Sequence, residues 1–282
     1  MSRYPQMFQR LADAGEGGFV PFVMVGDPDA GLSEAVIEAL IEGGADALEL
    51  GVPFSDPVAD GPTIQRAHIR ALEAGVGFRS ALEVVARVSE RHPELPIGML
   101  IYGNVPFAVG LETFYRECAQ AGIDSVLLPD VPVREGDAFS QAAEAAGIDA
   151  VYIAPPSASP DTLAGVAAAS HGYVYAVSRA GVTGTETASS TIGLAEAVAR
   201  LRADAAAPVM LGFGISTPEQ VAEAIAAGAD GAISGSAVVK VVEAHAPALM
   251  SAPAGSPERA TELEALRAEL IELVSAMKAA TR

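Results

Sequence analysis

Four times in this chain a Gly-Ala-Asp or Gly-Ile-Asp triplet closes an Ala-rich helical run and opens a strand-like one: Gly44-Ala45-Asp46, Gly122-Ile123-Asp124, Gly147-Ile148-Asp149 and Gly228-Ala229-Asp230. In each, the glycine stands where a helix end wants a left-handed residue, and the aspartate begins the turn into the strand. One helix-stop device used repeatedly implies one βα unit reiterated. Strand-like runs at 19–25, 46–51, 97–102, 125–129, 150–154, 173–178, 208–213 and 231–235 alternate with helical runs near 31–43, 63–73 with 78–91, 111–121, 135–146, 160–169, 192–203, 218–227 and 236–245. Eight strands with eight crossovers is the count that closes a (β/α)8 TIM barrel, a fold that typically takes ~250 residues. An open doubly wound sheet is the alternative, but its dinucleotide motif is lacking after the first strand.

The chain is long enough, at 282 residues, for one such domain with additions at both ends. Residues 5–14 read as an extra N-terminal helix with Phe8 and Leu11 on one face. The stretch 246–257, rich in Pro, Ala and Ser, reads as a linker, and 258–280 as a C-terminal helix whose Leu263, Leu266, Leu270, Ile271 and Val274 pack on the barrel's outside. Half the residues are apolar but aromatics are only 5% and Trp is absent, so the core is built of Ala, Val, Leu and Ile, as in a helix-covered parallel sheet.

A formal net charge of −19 argues against nucleic acid, which requires clustered Lys and Arg. The only lysines are Lys240 and Lys278, so an anionic ligand would draw on backbone amides and helix dipoles. Cys118 is the single cysteine and reads as packing, which fits a reducing compartment. No signal-peptide pattern opens the chain and no run of ~18 apolar residues interrupts it, so no membrane is expected and the expected location is cytoplasmic.

In a barrel the chemistry sits where strands end and βα loops begin. Those termini carry Asp27, Glu49, Asp56, Asp60, Asn104, Asp130, Ser178, Arg179 and Thr183, a set rich in acids and without histidine. Glu49 is the odd member, a carboxylate closing the apolar run Ala45 to Leu50, where ionisation costs several kcal/mol unless compensated. His68, His92, His171 and His245 are scattered over helices and the opposite rim, which argues against a catalytic triad and a histidine metal site, and no metal is expected. Neither lysine lies on a strand, which argues against a Schiff base. Carboxylate acid and base chemistry is what survives. Gly212-Phe213-Gly214-Ile215 after the seventh strand, Gly235-Ser236 after the eighth and Gly184 in a further glycine-bearing loop read as a phosphate site. Phe22, Leu100, Tyr102, Leu127, Ile153, Tyr175 and Ile233, with Phe213, offer an apolar pocket beside it. The long stretch from Arg179 to about Ser190 reads as a lid.

The run Glu49-Leu50-Gly51-Val52-Pro53-Phe54-Ser55-Asp56-Pro57, with Ala59-Asp60-Gly61-Pro62-Thr63-Ile64-Gln65, closely resembles the signature of the tryptophan synthase α-subunit family. Phe19-Val20-Pro21-Phe22, Gly26-Asp27-Pro28, Asp130-Val131-Pro132-Val133, Ser178-Arg179-Ala180-Gly181-Val182-Thr183-Gly184, Gly212-Phe213-Gly214-Ile215 and Gly235-Ser236-Ala237-Val238-Val239-Lys240 resemble further blocks of that family, in family order. The resemblance implies a lyase that splits indole-3-glycerol phosphate into indole and glyceraldehyde 3-phosphate. It also implies an α2β2 complex in which a pyridoxal-phosphate β subunit receives the indole, with no cofactor in this chain. By the same resemblance Glu49 is the acid/base group, Asp60 holds the indole N–H, and Thr183 of the lid contacts Asp60. Pro53, Phe54, Asp56, Asn104, Asp130 and Pro132 are then the partner surface. Met24, Val105-Pro106 and Pro129 depart from common family residues and bear on the pocket wall and that surface. A stand-alone lyase releasing free indole and a non-catalytic activator of a β subunit are the alternatives.

Overall fold

In a computed structural model of the chain, described for residues 2–155, 158–177, 194–204 and 207–282, nine parallel strand segments form one sheet. They are β1 (Gly18–Met24), β2 (Leu48–Gly51), β3 (Ile97–Leu100), β4 (Ser125–Leu127), β5 (Asp149–Val151), β6 (Ile153–Ala154), β7 (Val174–Val177), β8 (Val209–Gly212) and β9 (Gly231–Ser234). The order β5-β4-β3-β2-β1-β9-β8-β7-β6 begins and ends on two segments separated by Tyr152 alone. They are the two halves of one stave, so the sheet closes as an eight-stave (β/α)8 barrel.

The helices are α1 (Tyr4–Ala14), α2 (Ser33–Glu42), α3 (Pro62–Glu73), α4 (Phe78–Arg91), α5 (Asn104–Val109), α6 (Leu111–Gln120), α7 (Asp137–Ala146), α8 (Pro160–Ala169), α9 (Leu194–Asp204), α10 (Pro218–Ala226), α11 (Ser236–Ser251) and α12 (Pro257–Ala279). Sequence periodicity missed α5, a six-residue helix too short to show a repeat. The expected linker at 246–257 is helical through Ser251, with Pro247 inside α11. Ala246 and Leu249 extend the buried face there, and that burial offsets the ~3 kcal/mol an interior proline costs.

The triplets do more than stop helices. Gly44, Gly122, Gly147 and Gly228 all have φ between 74° and 96°, open to glycine at little cost. In three of the four units the following aspartate forms a two-bond clasp on the strand before its own. Asp46 donates its N–H to the Phe19 carbonyl at 3.0 Å and accepts the Phe19 N–H at 2.9 Å. Asp124 does the same to Ile97, both bonds 2.8 Å, and Asp230 to Val209, both 2.8 Å. Asp149 keeps only the backbone half, to the Asp124 carbonyl.

Strand residues alternate between two cores. Phe19, Val23, Leu48, Leu50, Ile97 and Met99 face outward with the helices, while Val20, Ala47, Leu127, Tyr175 and Met210 face the barrel interior. Helix α1 closes the lower end, with Tyr4, Met7 and Leu11 in the interior cluster. The Tyr4 hydroxyl bonds Ser125 Oγ at 3.0 Å, and its ring meets Tyr173 edge-on at 5.3 Å. Helix α12 packs on α2 and α11, and its Lys278 reaches Asp46 at 2.9 Å, Glu16 at 3.1 Å and the Gly17 carbonyl at 3.0 Å. Among the described residues no helix is long and apolar enough to cross a membrane.

The α11–α12 contact carries a pH dependence. His245 Nδ1 lies 2.7 Å from Glu262 and Nε2 3.0 Å from Glu269. Partial burial disfavours the imidazolium, but the two carboxylates outweigh it and the pKa is raised. A raised histidine contributes stability that is fully present below its unfolded pKa, ~6.5, and is lost as pH rises through the folded value. Thermal melts of wild type and His245→Gln are therefore expected to show a wild-type advantage at about pH 6 that shrinks at about pH 9; an equal gap at both would contradict this.

Candidate active site

Strand β2 lies between β1 and β3 with Glu49 in register with Phe22 and Gly98. Alternation sends Glu49 inward, where it is 2% exposed and, among the described residues, has no cationic partner. Among the described residues its one side-chain hydrogen bond is a long one, 3.4 Å from the Tyr173 hydroxyl to Oε1. Burial raises its pKa, the Tyr173 bond opposes the rise weakly, and the charge of Asp60 adds to it, so that the group is pushed up to about 8. A carboxylic acid of this kind is protonated at neutral pH and able to give that proton away.

Asp60 stands just ahead of α3, at the end of the proline-rich loop after β2, and is also buried. Two donors meet on its Oδ2: the Tyr102 hydroxyl at 2.7 Å and His68 Nε2 at 3.1 Å. Tyr102 is itself held by the Ala59 N–H at 3.0 Å, and His68 Nδ1 by the Phe54 N–H at 2.9 Å. The histidine was missed because it lies in a helix and no other histidine or serine nucleophile converges on it. The usable signal was its place on the buried stripe of α3 one turn beyond Ile64, which puts it on the side of the helix that reaches the barrel mouth.

Glu49 and Asp60 line one cavity together with Phe22, Ile64, Leu100, Tyr175, Phe213, Gly214, Ile215, Ile233, Gly235 and Ser236. Apart from these two acids and Ser236 its lining is apolar or glycine, and among the described residues no Lys or Arg lines it. At the far side, Phe213 and Gly214 are both left-handed, with φ of 62° and 80°. Two helices start here with different amide bookkeeping. Helix α10 is satisfied by a capping box of Thr217 and Gln220, whose Oε1 also takes the Ser216 N–H at 2.7 Å. Helix α11 begins on Gly235 with no side-chain cap, so its first amides face the cavity unclaimed by a side chain. That uncapped N-terminus suits an anion better than the capped one.

Of the expected pocket residues, Phe22, Leu100, Tyr175 and Ile233 line the cavity, whereas Tyr102, Leu127 and Ile153 do not. Tyr102 is spent on Asp60 and on stacking with Phe54 at 5.2 Å, while Leu127 and Ile153, in register with Leu100 and Tyr175, pack within the interior cluster. Of the expected phosphate residues, Phe213, Gly214, Ile215, Gly235 and Ser236 line it, and Gly212 does not. Gly212 instead makes room for Tyr175, whose hydroxyl oxygen lies 2.2 Å from where a Cβ would stand. Gly184, Arg179 and Thr183 fall outside the described residues. On the rim Asp56, Asn104, Asp130 and Pro132 are exposed, Phe54 is half-buried and Pro53 is buried beneath them. Sequence reading missed Val58, on the loop after β2, and Phe107, in α5, apolar side chains 74% and 78% exposed on the same rim. Among the described residues no group of three or more His, Cys, Asp and Glu could hold a metal ion.

A sequence model of the family described as tryptophan synthase alpha chain matches residues 8–278. The chain is 60% identical to the tryptophan synthase alpha chain of Corynebacterium efficiens, covering 100% of this chain and 99% of that one. It is 50% identical to that of Aliivibrio fischeri, with both chains fully covered. Among solved structures, tryptophan synthase subunit alpha from Legionella pneumophila superposes with a TM-score of 0.84 at 31% identity, covering 100% and 98% of the two chains. A chain of Mycobacterium tuberculosis tryptophan synthase gives 0.82 at 33% identity, with coverage of 100% and 98%.

Glu49 makes the fold less stable wherever it has to ionise. Its folded pKa of about 8 lies above the ordinary 4.5, so the native state holds a proton that the unfolded chain releases, and stability falls as pH rises across that window. Glu49→Gln is expected to be more stable than wild type, with a margin that widens from about pH 5 to about pH 9 in denaturant titrations. A margin independent of pH would contradict the assignment.

Proposed function

The chain belongs to the tryptophan synthase alpha chain family, and from that premise we propose how its own residues carry out the cleavage of indole-3-glycerol phosphate to indole and glyceraldehyde 3-phosphate. The observation that carries the reading is one largely apolar cavity lined by two buried carboxylates in different environments, Glu49 with no cation among the described residues and Asp60 under two donors. Breaking the bond between indole C3 and the side chain is a retro-aldol step in which the ring accepts the electron pair. Protonated Glu49 gives its proton to C3, and the ring nitrogen becomes cationic. The resulting carboxylate removes the proton of the side-chain hydroxyl, the carbon–carbon bond breaks, its electrons return to the ring, and the aldehyde forms. Glu49 ends protonated, as it began, so one carboxyl serves as acid and then base.

Asp60 accepts the indole N–H and stabilises the positive charge that develops on that nitrogen. Its Oδ2 already receives both donors, and Oδ1, which receives none among the described residues, is the oxygen we assign to the ring. The phosphate is held by backbone amides at Gly214, Gly235 and Ser236, at the uncapped start of α11. Phe22, Leu100 and Ile233 enclose the indole. Gly184 at the phosphate and Arg179 and Thr183 of the lid are assigned from the sequence.

The partner is the β subunit of an α2β2 complex, which takes up the indole and carries the pyridoxal phosphate. We assign its docking to the rim formed by Pro53, Phe54, Asp56, Asn104, Asp130 and Pro132, with exposed Val58 and Phe107 as apolar contacts. The whole chain works as one domain, and the single buried thiol of Cys118, pushed up by burial, fits a cytoplasmic location.

Four outcomes follow. In assays of isolated chain and of chain plus β subunit, addition of the partner is expected to raise indole formation strongly; high activity alone would favour a stand-alone lyase, and none in either case a non-catalytic activator. Glu49→Gln and Asp60→Asn should each remove ~10²-fold or more of turnover with smaller changes in substrate affinity. The rate at low substrate should fall as pH rises through about 8, where Glu49 ionises; a flat profile from about pH 6 to about pH 9 would exclude Glu49 as the initial acid. Phe107→Asp should weaken β-subunit binding in calorimetry and leave the isolated chain's activity unchanged; unaltered affinity would remove Phe107 from the interface.

A further inference from the structure

His68 lies between two groups that fix its roles. The Phe54 N–H can only donate, and it donates to Nδ1 at 2.9 Å. Nδ1 therefore carries no proton, the ring proton is on Nε2, and Nε2 donates to Asp60 Oδ2 at 3.1 Å. The imidazole is thus a neutral donor. It is 1% exposed, and its nearest aromatic neighbour is the Tyr102 ring, tilted by 59° with centroids 6.2 Å apart.

We propose that His68 is a positioning residue for the cleavage, holding Asp60 so that Oδ1 meets the indole N–H and fastening that carboxylate to the backbone of the partner-facing loop at Phe54. A carboxylate with one donor can pivot about it. With Tyr102 and His68 both on Oδ2, from different elements of the fold, the plane of the carboxylate is fixed. Neutrality is part of the design. An imidazolium would pair with the carboxylate's charge and weaken what it offers to a cationic ring nitrogen, whereas a neutral N–H holds the geometry and leaves the charge to the substrate. The second bond makes the imidazole a bridge, since any shift of the Phe54 backbone moves the ring that aims Asp60. The inference rests on Asp60 as the acceptor for the ring nitrogen.

A buried histidine satisfied by two neighbours would look the same if its role were only to stabilise the loop, so the test separates the two. The full chain is assayed with its β subunit for His68→Leu, His68→Gln, Asp60→Asn and the double variant His68→Leu/Asp60→Asn, with melting temperatures alongside. His68→Leu is expected to lower kcat about tenfold with a smaller change in KM, the scale of one hydrogen bond to a charged group. His68→Gln, whose amide donates to Asp60 and accepts from Phe54, should restore most of the loss. In the Asp60→Asn background the leucine change should cost nothing more in kcat. Nitrogen-15 spectra of the wild-type ring should show the Nε2–H tautomer on which the proposal is built, and if the leucine variant does not fold, His68→Gln with and without Asp60→Asn carries the same comparison of kcat. The proposal is overturned by wild-type kcat in His68→Leu, by no recovery in His68→Gln, by an undiminished further loss in the double variant, or by an Nδ1–H ring. Full turnover in Asp60→Asn would instead sink the reading of Asp60 itself.

Discussion

The barrel's register depends on the clasp in which an aspartate at the foot of one strand takes both the N–H and the C=O of a residue at the start of its neighbour. Asp46 on Phe19, Asp124 on Ile97 and Asp230 on Val209 lock three strand pairs at the lower rim. Because side chains alternate with a period of two, a slip of one residue would turn Glu49 outward. Clasping β1 to β2 at Phe19 fixes Phe22 opposite Glu49, three residues up. The same carboxylates anchor the terminal helices, Asp46 through Lys278 of α12 and Asp124 through Arg3 ahead of α1. The lower face thereby sets the geometry of the upper one, which is how stability and chemistry come to occupy opposite ends of the barrel.

Closure from below also makes the interior apolar. Tyr4, Met7 and Leu11 of α1 seal it beneath Tyr173, whose hydroxyl reaches Glu49 from that side at 3.4 Å. The site gains a carboxylic acid with a pKa near working pH, and the fold loses the stability that an apolar residue would have given there. A conflict of this sort, tolerated at one residue and nowhere else on β2, is a better sign of function than the motif around it.

Much of this was legible in the chain. The eight-fold alternation and the glycine stops follow from local rules, and they placed strands and helices to within a few residues. The Glu49 anomaly was equally visible, because a lone acid in an apolar strand breaks the pattern. What could not be read were features made by distant parts of the chain. The clasps join residues 21 to 27 apart, so the aspartates looked like turn formers only. Tyr102 looked like pocket wall until Asp60, 42 residues away in sequence, turned out to claim its hydroxyl. His68 looked idle for the same reason, being judged by its distance from other histidines and not by the carboxylate eight residues before it. Helix α11 read as ending early because proline is a local signal and the buried face that overrides it is not.

Glu49 and Asp60 show how one functional group is given two tasks by its surroundings. Exchange of roles is blocked by position as well as by environment. Glu49 sits on a strand whose register is clasped and, among the described residues, its carboxyl is held by one long bond, which suits a group that has to carry a proton between two atoms of the substrate. Asp60 sits on a loop, which is intrinsically the less rigid support, and receives two short-range donors from α3 and from the end of β3's stave. The rigidity that the strand supplies to Glu49 is thus supplied to Asp60 by Tyr102 and a neutral imidazole. Because one of those supports is fastened to the rim backbone at Phe54, the charge that stabilises the reaction is mechanically continuous with the surface assigned to the partner, while the proton carrier is not. Regulation by the partner through this route would act on the electrostatic half of catalysis and leave the acid–base half poised.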